Sequence, residues 1–182
     1  LLTGISLPAG ALFVFALSSV SVIGMVMSGW GSANKYSLIG GMRSAAQAIS
    51  YEIPLVLSVL AVVLFTGSMD LKAIVEAQKA HAFAWLWISV TPISFLIFLI
   101  ASTAEVNRIP FDLPEAESEL VSGYNTEYTG MKFALFFLAE YPNMFVIAAL
   151  TSIMFLGGWD APFAFLSFIP GIVWMLLKMS SI

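Results

Sequence analysis

Cysteine does not occur in this chain, and histidine occurs once, as His81. That scarcity removes disulfides, cysteine-held iron–sulfur clusters, zinc-finger spacings and bis-histidine haem from this stretch of protein. Any redox chemistry it serves therefore runs on electrons carried by something else. His81, close to Lys79 on what reads as a short loop, has the setting of a solvated interface residue. Charge is also sparse, at 10% of residues against about 25% in ordinary soluble domains. Seven Lys and Arg against eleven Asp and Glu give a formal net charge of −4, which offers no surface for nucleic acid. Period-2 alternation is missing, which excludes an outer-membrane barrel. So is any repeat of fixed period or low-complexity tract, and the chain reads as one helical domain. No basic n-region or cleavage site is read in this stretch. It opens on Leu1 rather than Met, and its last apolar run reaches almost to the final residue, so a piece of a longer protein is expected.

What is abundant is apolar: 60% of residues, against about 45–50% in soluble domains. About 20 mostly apolar residues cross a bilayer core as helix. Five stretches qualify: Leu7 to Trp30, Ser44 to Ser68, Ala82 to Ala104, Phe133 to Trp159 and Ala161 to Leu177, designated spans A to E. The fold class expected is an all-α integral membrane protein, a polytopic helical bundle. Because connections alternate sides, Lys35, Arg43, Arg108, Lys132 and Lys178 share one face, and Lys72 and Lys79 the other. The positive-inside rule puts the richer face in the cytoplasm or its equivalent. The connection 105–132 lies there. After span A, the run Gly29-Trp30-Gly31-Ser32-Ala33-Asn34 reads as a tight turn anchored by Trp30 in the headgroup belt.

Spans B and D each hold one carboxylate, Glu52 and Glu140. A charge at mid-helix is about 2.5–3.5 kcal/mol uphill on insertion scales, so both are expected to face the bundle interior or a wet cavity. Each has an adjacent phenol, Tyr51 or Tyr141, and a proline two residues on, Pro54 or Pro142. Those prolines cannot donate to the carbonyls of Ser50 and Leu138, which bends the helix beside each acid and frees a carbonyl to hold water. The two acids fit a purely structural role, paired with Arg43 or another helix. They equally fit a proton relay, since burial disfavours a carboxyl's charged form and so makes proton exchange accessible.

From Glu105 to Glu127 the chain reads EVNRIPFDLPEAESELVSGYNTE. It carries Glu105, Asp112, Glu115, Glu117, Glu119 and Glu127 with one base, Arg108. Interleaved Val106, Ile109, Phe111, Leu113, Leu120, Val121 and Tyr124 predict a packed connection rather than a free one. Pro110 and Pro114 forbid one continuous helix, so a turn over Asn107 to Pro114 is expected. A helix then resumes at Glu115, where acids suit the dipole, and stops at Gly123. Glu115 and Glu119 share a face there, and their repulsion disfavours simultaneous ionisation. The stretch fits a solvated acidic face. With Glu52 and Glu140 it also fits a line of titratable groups running from the surface to mid-membrane.

Three runs, GWGSANKYSLIGGMRSAAQAISYEIPL (Gly29 to Leu55), AEVNRIPFDLPEAESELVSGYNTEYTGMKFALFFLAEY (Ala104 to Tyr141) and FLGGW (Phe155 to Trp159), closely resemble one family. It is the H subunit of bacterial NADH:quinone oxidoreductase, respiratory complex I, whose mitochondrial counterpart is NADH dehydrogenase subunit one. The resemblance covers nearly the whole chain in order. It implies an eight-helix subunit where the membrane arm meets the peripheral arm, with spans A to E as the family's third to seventh. It also implies a location in the inner, cytoplasmic membrane of a bacterium or an equivalent energy-transducing membrane. Quinone would be the substrate, and no group would be covalently bound. Iron–sulfur clusters and flavin would sit only in partner subunits, those around the terminal cluster and those of the membrane arm, with lipid around the whole. The family's proton path maps onto Glu52, Glu105, Asp112, Glu115, Glu117, Glu119, Glu127 and Glu140, with Tyr51 in the same motif. The quinone chamber maps onto Arg108, Phe111, Asp112 and Glu115. The family's first two spans, its interfacial helix and its last span have no counterpart here. Some members carry a Glu in the helix before the GW turn, where this chain has Ser18, Ser19 and Ser21, and Pro142 departs from the family pattern.

An alternative is the related ion-translocating subunit of a membrane-bound hydrogenase or a ferredoxin-linked complex, although FDLPEAESEL favours the quinone-linked group. A secondary transporter using Glu52 and Glu140 would need matched, inverted halves, and no such symmetry is visible.

Overall fold

The computed structural model describes residues 7–80, 91–112, 123–160 and 170–182. Among them all regular structure is helical: α1 (Gly10–Gly31), α2 (Lys35–Thr66), α3 (Leu71–Ala80), α4 (Thr91–Glu105), α5 (Met131–Phe155), α6 (Gly171–Ser180) and a 3-10 turn at Gly123–Asn125. Helices α1, α2 and α5, of 22, 32 and 25 residues, are long and apolar enough to cross a membrane. They correspond to spans A, B and D, and the all-α polytopic class holds. Span C is described over its second part, as α4, and span E as the shorter apolar helix α6.

Helix α2 begins nine residues before the first residue expected for span B. Asn34 is the reason: its side-chain oxygen accepts the Tyr36 amide at 3.0 Å, an N-cap that starts the helix in polar sequence. Hydropathy marks where a helix meets lipid, whereas the cap marks where the helix starts. Its other end closes on Gly67, at φ +70, whose amide donates to Val63 at 2.8 Å, as a left-handed C-terminal residue does. Pro54 and Pro142 lie inside continuous helices.

Helix α3 corrects the reading of residues near Lys79 as a short loop. Asp70 caps it by accepting the Lys72 amide at 3.1 Å. Ile74, Val75 and Gln78 are then buried on one face, while Glu76 and Lys79 are exposed. Ten residues with so few apolar positions fall below what a hydropathy scan for spans detects. His81 lies outside the described residues.

The chain divides into two compact units, and α1, α2, α4 and α5 each contribute to both. One unit comprises Leu1–Phe15, Val56–Leu99 and Phe145–Ile182. Its core includes Val59, Val62, Ile74, Val75, Phe98, Leu150, Met154 and Phe155. The Phe155 ring packs 5.5 Å from Phe95 and 5.3 Å from Phe98. Gln78 donates to the carbonyls of Ile153 at 3.0 Å and Met154 at 2.8 Å, supplying partners that the last turn of α5 lacks within its own helix. Lys178 donates to Gly158 at 2.9 Å and Asp160 at 2.7 Å. It therefore sits beside the connection leaving α5, rather than on the opposite side of the bilayer as alternation of faces leads one to expect.

The second unit comprises Ala16–Leu55 and Ile100–Met144. Here α1 and α2 approach closely through glycine. A methyl at Gly29 would lie 2.8 Å from the Ser37 carbonyl oxygen, and one at Gly41 would lie 3.0 Å from that of Met25. The 3-10 turn is buried against α2, with the Ser37 hydroxyl donating to the Tyr124 carbonyl at 3.1 Å. The Tyr128 hydroxyl donates to Ser28 near the end of α1 at 3.0 Å.

Candidate functional site

Every described residue that the sequence marks as a site candidate falls in the second unit. Glu105 ends α4, and the backbone then reverses through Asn107, at φ +55, whose amide donates to Ala104 at 3.2 Å. Asparagine tolerates this left-handed geometry better than most residues. The turn is held from the side by Gln47 of α2. Its amide nitrogen lies 2.7 Å from the Ala104 carbonyl, 3.2 Å from Asn107 Oδ1 and 2.7 Å from the Phe111 carbonyl.

That clamp fixes what surrounds it. One helical turn beyond Gln47 stands Tyr51, whose ring meets Phe111 edge-on at 5.3 Å between centroids. The next residue, Glu52, accepts a hydrogen bond from the Ser19 hydroxyl of α1. Glu105 is hydrogen-bonded by Ser18 and lies within electrostatic reach of Glu52. Its Oε2 is buried without a hydrogen-bond partner, as is Oδ1 of Asp112. Arg108 meets Glu140 of α5 at 3.3 Å, contacts Met144 Sδ at 3.1 Å and lies 5.7 Å from the Tyr141 ring centre. The end of α4 and the turn after it therefore carry two pairings, Glu105 with Glu52 of α2 and Arg108 with Glu140 of α5.

Glu127 is held apart from that group. It is exposed and accepts from Asn34 Nδ2 at 2.7 Å, beside the turn between α1 and α2. Glu115, Glu117 and Glu119 lie outside the described residues, as does the helix expected to resume at Glu115. Gly123, expected as its stop, takes φ +58 and opens the 3-10 turn. The packed character expected for this connection holds at Val106 and Tyr124, which are buried. It fails at Ile109, which is 86% exposed at the tip of the turn. A side chain leaving the crest of a reversal points away from the described elements of this chain, whatever its hydrophobicity. Among the described residues no group of three or more His, Cys, Asp or Glu is placed to hold a metal ion.

Gln47 is a member of this cluster that sequence reasoning misses, although its i, i+4 spacing to Tyr51 puts both on one helix face. Ser18 and Ser19 stand out in the sequence only as replacements for an acid. Three serines within four residues of an apolar span are the available signal.

Comparison with known proteins bears on the family of the chain as a whole. The model of the family described as NADH dehydrogenase matches residues 2–182. The chain is 57% identical over 173 residues to the NADH-quinone oxidoreductase H subunit of Bacillus cytotoxicus, covering 95% of this chain and 50% of that protein. It is 58% identical, with the same coverage, to the proteins of that name from Bacillus cereus strain B4264 and Bacillus thuringiensis strain Al Hakam. The chain thus spans about half the length of the curated relatives it matches. A match over nearly every residue, with identity this high, makes the chain a member of the NADH dehydrogenase family.

Proposed function

We propose that this chain is part of the membrane subunit of a proton-pumping NADH:quinone oxidoreductase. In this reading it forms part of the quinone chamber and a carboxylate path that couples quinone reduction to proton movement. Flavin and iron–sulfur clusters belong to partner subunits of the peripheral arm, and neighbouring membrane-arm subunits receive the coupling. The complex sits in the inner membrane of a bacterium or an equivalent membrane, with the acidic connection on the cytoplasmic side.

One observation carries the reading: the turn that follows Glu105, itself within electrostatic reach of Glu52, brings Arg108 to 3.3 Å from Glu140. Carboxylates in membrane helices are costly, and where they persist they mark ion or proton routes. Protonating or deprotonating one member changes the field at the next through Coulomb interaction. Reduction of a quinone near Phe111 and Asp112 takes up protons, and the charge change reaches Glu105 and Glu52, with Arg108 as counter-ion to Glu140. The family resemblance assigns Glu115, Glu117 and Glu119 to the same path. The names of the relatives supply quinone as the substrate class.

The test is Glu52→Gln and, separately, Glu119→Gln in the complete oxidoreductase reconstituted in liposomes. Both variants are expected to assemble and to lose quinone reductase activity or proton pumping by about tenfold or more, the scale of removing one charge-assisted contact. Wild-type rates and proton stoichiometry in both would overturn the path.

A further inference from the structure

Hydroxyl groups in a membrane helix have an undemanding partner at hand, the carbonyl three or four residues earlier in the same helix. Several in this chain take it. Ser21 donates to Ser18 at 2.7 Å, Ser50 to Ala46 at 2.6 Å, Thr103 to Ile100 at 2.8 Å and Thr151 to Ile147 at 2.7 Å. Ser18 and Ser19 also reach other helices. Ser19 Oγ donates to Glu52, 33 residues away on α2, and the Ser18 side chain hydrogen-bonds Glu105 at the end of α4.

Successive helical residues point about 100° apart. Adjacent serines on α1 can therefore serve two different helices at once, which a single hydroxyl, with one proton to donate, could not do. The two carboxylates they hold are electrostatic neighbours. Like charges brought together repel, and donors to each carboxyl offset that repulsion and fix where each one points.

We infer that Ser18 and Ser19 are positioning residues of the carboxylate path, holding Glu105 and Glu52 in register as an adjacent pair. Helix α1 thereby takes part in coupling without contributing an acid. The inference rests on the function proposed above for Glu52 and Glu105.

The experiment uses the complete oxidoreductase in liposomes, with NADH-driven quinone reduction and proton uptake measured together. Ser19→Ala is expected to lower the coupled rate about tenfold, the scale of losing one hydrogen bond to a charged group. Ser19→Thr, which keeps a hydroxyl, restores most of the rate. Ser21→Ala, which removes a hydroxyl bonded to the backbone of α1, leaves it unchanged. In a Glu52→Gln background Ser19→Ala adds no further loss, because a residue acting through Glu52 has nothing left to act on. The same relation is expected between Ser18→Ala and a Glu105→Gln background.

Wild-type behaviour of both alanine variants alongside an inactive Glu52→Gln overturns the serine role and leaves the carboxylate path standing. A Ser19→Ala loss that persists in full in the Glu52→Gln background, or that Thr does not relieve, assigns the effect to packing and also overturns it. Full activity of Glu52→Gln itself overturns the path, and the serine role with it.

Discussion

The amide of Gln47 shares its two N–H groups among three acceptors on the turn after α4, and it does so from a buried position. Removing it leaves carbonyls with a missing donor, which costs about 1–3 kcal/mol where the site stays dry. Gln47→Leu, close in volume, is therefore expected to lower unfolding stability by about that amount. The same variant should also reduce quinone reduction, since it releases Phe111 and Asp112. Thermal denaturation in detergent and an activity assay read the two effects, and unchanged stability would show that the clamp is dispensable. Arg108 behaves differently. Its side chain is 43% exposed and that of Glu140 24%, so their ion pair contributes at most about 1 kcal/mol. Arg108→Gln is expected to leave stability nearly untouched while lowering proton pumping, because Glu140 loses its counter-ion. A large drop in melting temperature with pumping preserved would assign Arg108 to structure instead.

Among the elements, glycine decides how closely α2 can approach its neighbours. A methyl at Gly40 would stand 2.8 Å from the Tyr124 nitrogen and 2.9 Å from two backbone atoms of Gly123. These are rigid main-chain atoms, so α2 and the 3-10 turn would have to separate. Gly40→Ala is expected to destabilise by about 1–3 kcal/mol, as overpacking does, despite alanine's better helix propensity. Gly24, inside α1, has nothing within 4 Å of its added methyl. Gly24→Ala should be neutral or stabilising by up to about 1 kcal/mol. Melting temperatures of the pair test this, and equal effects would mean that propensity rather than contact governs both. Contact also governs α3, whose stability rests on docking Ile74, Val75 and Gln78 rather than on length, since isolated helices this short are marginal in water.

The surface of the whole molecule is rich in large apolar side chains: Trp30 is 76% exposed, Leu64 75% and Met131 77%. Such a surface suits an apolar surrounding rather than water. A chain without cysteine gives a clean background for single-cysteine labelling, which reads orientation across the bilayer directly. Lys35→Cys and Lys132→Cys are expected to react with a membrane-impermeant maleimide in inverted vesicles only, and Lys79→Cys in right-side-out vesicles only. Labelling of Lys79→Cys from the same side as Lys35→Cys would reverse the assignment of faces.

The membrane class, the spans that became α1, α2 and α5, and the acids of the connection were legible in the sequence. Each depends on free-energy costs large enough to show in composition: about 20 apolar residues per crossing, and a heavy penalty for a stray charge. Helix α3, the early start of α2 at Asn34 and the return of Lys178 to Gly158 and Asp160 were not legible. Those rest on single caps and side-chain bonds of about 1 kcal/mol each, below what a hydropathy pattern records. The candidate site divides along the same line. Sequence named Glu52, Glu105, Arg108 and Glu140, because ionisable groups are rare in such surroundings. It could not say which would meet, because partners tens of residues apart in the chain have no periodicity to betray them. Only the tertiary structure decided that serines of α1 hold two of the acids and that a glutamine of α2 holds the turn. Side-chain pairing across helices depends on helix rotation and approach, which packing sets.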